Sequence, residues 1–126
     1  TTAPHALSYP FTSYYNISHG HAVAITFNEF LNYNYYNKDN SSGEFNLEER
    51  FKILFKLTNT QNIGELNKYF KNLKKTGNIK DSFNDLNINI KKNIDLILKG
   101  VNIDRLSNNP VFLDYSTIKR ILLNKI

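Results

Sequence analysis

The chain has 126 residues, no cysteine and a formal net charge of +5. That length holds one core, and the missing cysteines exclude disulfides, thiolate metal sites and a cysteine nucleophile. The longest apolar stretch, Ala22 to Phe27, is far shorter than the roughly 20 residues of a membrane-spanning helix.

Residues 1–36 are rich in His, Tyr, Ala and Ser and carry few charges. Pro10 would kink a helix there, and Asn16-Ile17-Ser18 reads as a turn followed by a cap. Ala22 to Leu31 reads as a buried helix, apolar nearly all round apart from Thr26, Asn28 and Glu29. Asn37-Lys38-Asp39-Asn40-Ser41-Ser42-Gly43 is a polar loop by composition. From residue 45 the pattern is one of charged amphipathic helices. Asn46 can cap the first, with Glu49 placed to complete a capping box. Leu47, Phe51, Leu54 and Phe55 follow at helical spacing. A second helix follows Gln61-Asn62, with Ile63, Leu66, Phe70 and Leu73 on one face and Thr76-Gly77 as its stop. A short turn holds Phe83 and Leu86. Ile90, Ile94, Ile97 and Leu98 form the next stripe, closed by Gly100. Val101 to Leu106 adds one more turn before Asn108-Asn109-Pro110 breaks the chain. The last helix starts near Asp114, with Leu113 and Ile118 placed as a hydrophobic staple. No segment shows sustained alternation of apolar and polar residues. The predicted class is all-α, a bundle of five to seven helices, and a substantial sheet within 45–126 would contradict it. The stripes report packing and say nothing about chemistry.

A basic chain invites a nucleic-acid reading. Lys is spread through the second half, however, and Arg occurs only at Arg50, Arg105 and Arg120, whereas base readers lean on bidentate Arg contacts. The charge is read as an ordinary solvated surface, with no nucleic-acid partner. A basic helical module for an acidic partner is the competing reading.

All three histidines, His5, His19 and His21, fall in the first 21 residues. Taken alone, they could be three unrelated imidazoles. His5 and His19 would lie about 21 Å apart on one straight helix, so they can share a ligand only if the chain turns back between them. A helix, a turn at Asn16–Ser18 and a second helix from His19 would achieve this. On that second helix His21 lies roughly 200° around the axis from His19 and faces away. Two imidazoles alone do not complete a catalytic metal site, which usually has at least three protein ligands. Glu29 is roughly 15 Å further along the helix and is no obvious third.

The run His5-Ala6-Leu7-Ser8-Tyr9-Pro10, followed by Ser18-His19-Gly20-His21-Ala22-Val23-Ala24, resembles the signature of the iron-containing alcohol dehydrogenases. The resemblance is specific over residues 1–36. It extends loosely to Arg105-Leu106-Ser107-Asn108-Asn109-Pro110-Val111. It implies that residues 1–126 are the C-terminal, all-helical, metal-binding domain of a two-domain enzyme of the dehydroquinate synthase-like fold. The chain opens Thr1-Thr2-Ala3-Pro4, without a methionine, and the expectation is a start inside a longer polypeptide.

By this resemblance an N-terminal α/β domain binds NAD(H) or NADP(H), and Fe(II) or Zn(II) sits between the domains. His5 and His19 match the last two of three histidine ligands. The family's aspartate and first histidine have no match here. Many members carry a further histidine four residues after the first of these two ligands. This chain has Tyr9 there, a departure from the pattern that does not carry over the proton-relay role; as a candidate catalytic residue, its hydroxyl can donate a hydrogen bond or shape the pocket. The implied activity is reduction of a small aldehyde or oxidation of a small alcohol; the absence of cysteine fits a cytoplasmic location. A sugar-phosphate lyase of the dehydroquinate synthase type is the alternative on the same plan. The face around His5, Tyr9 and His19 is expected to be solvent-exposed in this chain or covered by another copy in a homo-oligomer.

Overall fold

A computed structural model of the chain describes residues 2–44 and 46–125; Thr1, Phe45 and Ile126 lie outside them. Helix α1 (Ala3–Tyr15) turns back into α2 (His19–Tyr36), and α3 (Leu47–Thr58), α4 (Ile63–Thr76), α5 (Ile90–Lys99), the single-turn α6 (Ile103–Leu106) and α7 (Tyr115–Asn124) follow. Among the described residues the only β pairing is an isolated bridge between Ser41 and Val111. The fold is all-α, as the periodicity predicts. No helix among the described residues is long and apolar enough to cross a membrane.

Local chemistry accounts for most helix ends. The side-chain oxygens of Asn46, Asn62, Asn89, Asn102 and Asp114 each accept the amide N–H three residues on, at the starts of α3 to α7. Each satisfies one donor that the helix itself leaves unpaired. Ser18 occupies the cap position of α2 but makes no side-chain cap bond, so the expected cap there is absent. The helix stops fall where the sequence places them, at Gly77 and Gly100, although neither glycine is left-handed. Gly77 has φ −77° and Gly100 has φ −85°. The left-handed positions belong to Asn16, Asn59, Asn78 and Asn87. Asn tolerates that region better than other residues with a Cβ, because its short amide can bond locally.

The main core gathers Ala3, Ala6, Leu7 and Phe11 of α1, Ala22, Ile25 and Phe30 of α2, and the buried faces of α5 and α7. Phe83 enters it from the turn after α4 and stacks on Phe11 with ring centroids 5.6 Å apart. A smaller cluster joins Phe51, Ile63 and Leu66 beneath Tyr35, Phe55 and Phe70. Two expectations about burial need correction. Leu73 is 52% exposed, while Lys74 is 6% exposed and pairs with Asp81 at 2.7 Å. Helix α2 is not buried evenly: Thr26 and Asn28 face inward, and Val23, Ala24 and Phe27 are only half-buried. The inward amide of Asn28 donates to the backbone and side-chain oxygens of Asn67 on α4, which offsets part of its desolvation.

Helix α1 continues through Pro10. Proline has no N–H for the carbonyl four residues back, which is that of Ala6. The Asn102 N–H donates to it instead, at 3.3 Å, and so docks the start of α6 on α1. The end of α5 approaches the same proline. A Cβ at Gly100 would lie 2.8 Å from Pro10 Cβ and 3.2 Å from Tyr14 Cε2. Gly100→Ala is therefore expected to destabilise the domain by about 1–3 kcal/mol through overpacking. Urea denaturation checks this, and an unchanged midpoint would mean that α1 and α5 separate freely.

Candidate metal centre

The turn between α1 and α2 is tight because Asn16 adopts φ 53° and ψ 35°, and its N–H closes on the Thr12 carbonyl. Ile17 is buried behind the turn. The two helices are extensively packed against each other. Their pairing brings His5, near the start of α1, against His19, the first residue of α2.

The imidazoles of His5 and His19 have ring centroids 4.6 Å apart and lie edge to face at 73°. Tyr9 is one helical turn after His5, on the same face. Its ring lies 6.2 Å from that of His5 and 6.4 Å from that of His19. The three residues form a triangle of rings. His5 is half-buried, and Tyr9 and His19 are exposed. His21 does not join them. Its Nε2–H donates to the Lys80 carbonyl at 2.6 Å, tying α2 to the segment after α4. The structure thus brings together the two histidines expected to meet and separates the third.

One residue of the cluster went unrecognised in the sequence. Ser8 is fully buried between α1 and α2. Its hydroxyl donates to the His5 carbonyl at 2.7 Å and lies 3.3 Å from His19 Nδ1. Nothing in the composition of the run marks it, because a serine in a helix commonly bonds the preceding turn without further consequence.

The donor set is compatible with a metal ion. Two imidazoles bound to one ion through bonds of about 2.0–2.1 Å place their ring centres roughly 5 Å apart, close to the spacing seen. The described residues contain no cluster of three or more His, Cys, Asp or Glu that could hold a metal. Two imidazoles are fewer than the three or more protein ligands usual at a catalytic metal. The field around it is positive. His5 is held below its ordinary value of 6.5, first by desolvation and then by repulsion from His19 and Arg105. Protonation of His5 is thus less favourable in the folded chain than in the unfolded one. Its contribution to stability is full above pH 6.5 and is lost as pH falls through the lower folded value. A histidine-resolved NMR titration should give His5 a midpoint below 6.5, and Arg105→Ala should raise that midpoint. A midpoint at or above 6.5 in the unsubstituted chain would contradict the arrangement.

Comparison with known proteins places the chain in a family and supports its fold. The family model described as Fe-containing alcohol dehydrogenase, C-terminal, matches residues 1–126. Among solved structures, the fold is similar to that of sulfoacetaldehyde reductase from Bifidobacterium kashiwanohense in complex with NAD+, with a TM-score of 0.69 and 20% sequence identity. The likeness covers 99% of this chain and 31% of that one. At that identity it speaks for the fold alone, and this chain spans under a third of the reductase's length. No curated protein matches.

Proposed function

Because this chain belongs to the Fe-containing alcohol dehydrogenase family, with the family's C-terminal model matching all of residues 1–126, we propose that it contributes the helical half of an aldehyde-reducing, alcohol-oxidising active site. The observation that carries the reading is the meeting of His5 and His19, ring centroids 4.6 Å apart, on a face that also presents Tyr9. When bound, Fe(II) or Zn(II) supplies Lewis-acid polarisation of the substrate oxygen, and NAD(H) or NADP(H) supplies or accepts the hydride.

The chain's own residues do the following. His5 and His19 each offer one ring-nitrogen lone pair to the metal. Desolvation and the neighbouring His19 and Arg105 favour the neutral form of His5, the form that ligation requires. Tyr9 places a phenolic hydroxyl beside the pair, able to donate a hydrogen bond to a developing alkoxide or to receive one. Pro10, Ala6 and Asn102 lock the helix that bears His5 and Tyr9, so that the rings hold their places. The remaining ligands and the nucleotide site come from another domain, as the family resemblance implies. The substrate is a small alcohol or aldehyde, and neither nucleic acid nor membrane enters the reaction.

The test is a calorimetric titration of the chain with NADH, with and without Zn(II) or Fe(II), followed by an aldehyde-reduction assay. The expected result is no tight NADH binding and no turnover, because two imidazoles do not complete a catalytic metal site and the family resemblance assigns the nucleotide site to another domain. Tight cofactor binding with turnover would refute the division of labour proposed here.

A further inference from the structure

The buried hydroxyl of Ser8 touches both histidine-bearing residues of the candidate centre, and its proton inventory fixes more than position. A hydroxyl has one hydrogen to donate and lone pairs with which to accept. The His5 carbonyl can only accept, and it lies 2.7 Å from Ser8 Oγ. The single hydroxyl proton is therefore committed to it. Toward His19 Nδ1, 3.3 Å away, the same oxygen can only accept. The hydrogen in that contact belongs to the ring nitrogen.

We propose that Ser8 is a positioning residue that fixes neutral His19 as its Nδ1–H tautomer and so leaves the Nε2 lone pair for a metal ion shared with His5. The proposal rests on the reading of the His5–His19 pair as metal ligands, and it names a device that acts through one of them. A relay runs from His19 Nδ1–H to Ser8 Oγ–H to the His5 carbonyl, crossing from α2 to α1. It orients one ring and ties it to the backbone of the residue that bears the other. Metal-ligating histidines commonly donate their second ring N–H to a fixed acceptor, and loss of such partners typically costs 10–100-fold in metal affinity.

The position suits the task. Ser8 has no exposed surface, so water does not compete for its hydroxyl. It lies three residues after His5, over the same turn of α1. Its bond to the His5 carbonyl is the back-bond that helical serines readily form. That bond turns a common local habit into an acceptor of fixed direction for the neighbouring helix. His19 opens α2 and is exposed. Without Ser8, its ring would have the rotameric freedom of a surface side chain.

The experiment reads the tautomer directly and does not depend on catalysis. Two-bond nitrogen–proton correlation spectra of the metal-free chain, recorded at a pH where the histidines are neutral, report which ring nitrogen carries the hydrogen. The unsubstituted chain should show His19 with hydrogen on Nδ1. Ser8→Ala should move His19 toward the Nε2–H form that a free imidazole prefers. Ser8→Thr, which keeps a hydroxyl, should restore the Nδ1–H form. Amide spectra of each variant show whether the fold is intact. If Ser8→Ala does not fold, the unsubstituted chain and Ser8→Thr still decide the tautomer.

A Zn(II) titration followed in the same spectra should show Ser8→Ala weakened about 10–100-fold relative to the unsubstituted chain. His19 already in the Nε2–H form in the unsubstituted chain, or an unchanged Nδ1–H form in a folded Ser8→Ala variant, would overturn the proposal. An Nδ1–H His19 that depends on Ser8, in a chain whose His5 and His19 show no response to Zn(II), would uphold the tautomer control while sinking the metal-ligand reading.

Discussion

Phe11→Ala is expected to cost about 3–5 kcal/mol of folding stability. Phe11 has no exposed surface. Its ring stacks on Phe83 at 5.6 Å and packs near Tyr15 at 6.3 Å. Truncation removes the transfer energy of the ring and leaves a cavity bounded by α1 and the turn that bears Phe83. Helices on several sides cannot all collapse into it. Native domains have only about 5–15 kcal/mol in total, so the variant would be close to unfolded at physiological temperature. The loss would be felt at the candidate centre, because Phe11 lies on the helix that carries His5, Ser8 and Tyr9. Urea denaturation followed by far-UV circular dichroism measures it. A loss below about 1 kcal/mol would mean that the α1–Phe83 contact is not a fixed part of the core.

His19→Ala is the second large expected effect, and it is one of binding instead of stability. His19 is exposed, so its removal leaves no cavity. Structural zinc sites with four ligands bind with roughly 10–16 kcal/mol, or roughly 3 kcal/mol per ligand if shared equally. The loss of one imidazole from the pair should therefore weaken Zn(II) binding by about 100-fold, with little change in melting temperature. His21→Ala should do the reverse. It removes the bond to the Lys80 carbonyl, costs about 1 kcal/mol of stability, and leaves Zn(II) affinity nearly unchanged. The two variants separate the metal role from the structural one. Equal effects on Zn(II) affinity would show that the ion does not choose between these histidines.

The all-α class and most helix starts were legible because the signals are local. An Asn or Asp before an apolar stripe caps its helix wherever that helix packs, as at Asn46, Asn62 and Asp114. The approach of His5 and His19 was legible because Asn16–Ser18 reads as a turn that permits it and the family resemblance matches both residues to metal-binding histidines. Tertiary choices were not legible. A helix apolar nearly all round does not say which side faces the core, and α2 turned Asn28 inward, where Asn67 of α4 accepts from its amide. Lys74 is buried where Leu73 was expected, because Asp81, beyond the end of α4, receives its charge. The helix survives Pro10 because a residue 92 positions away, Asn102, takes the orphaned Ala6 carbonyl. The role inferred for Ser8 depends on a neighbour on another helix, and no spacing in the run reveals it.

The most direct test of the central claim is a Zn(II) titration of the whole chain followed at its three histidine rings by NMR. The ring signals of His5 and His19 should shift together, with one shared dissociation constant, while those of His21 stay in place. A shift of His21 with either of the others, independent constants for His5 and His19, or no response at the pair up to millimolar zinc would contradict a metal shared between the starts of α1 and α2.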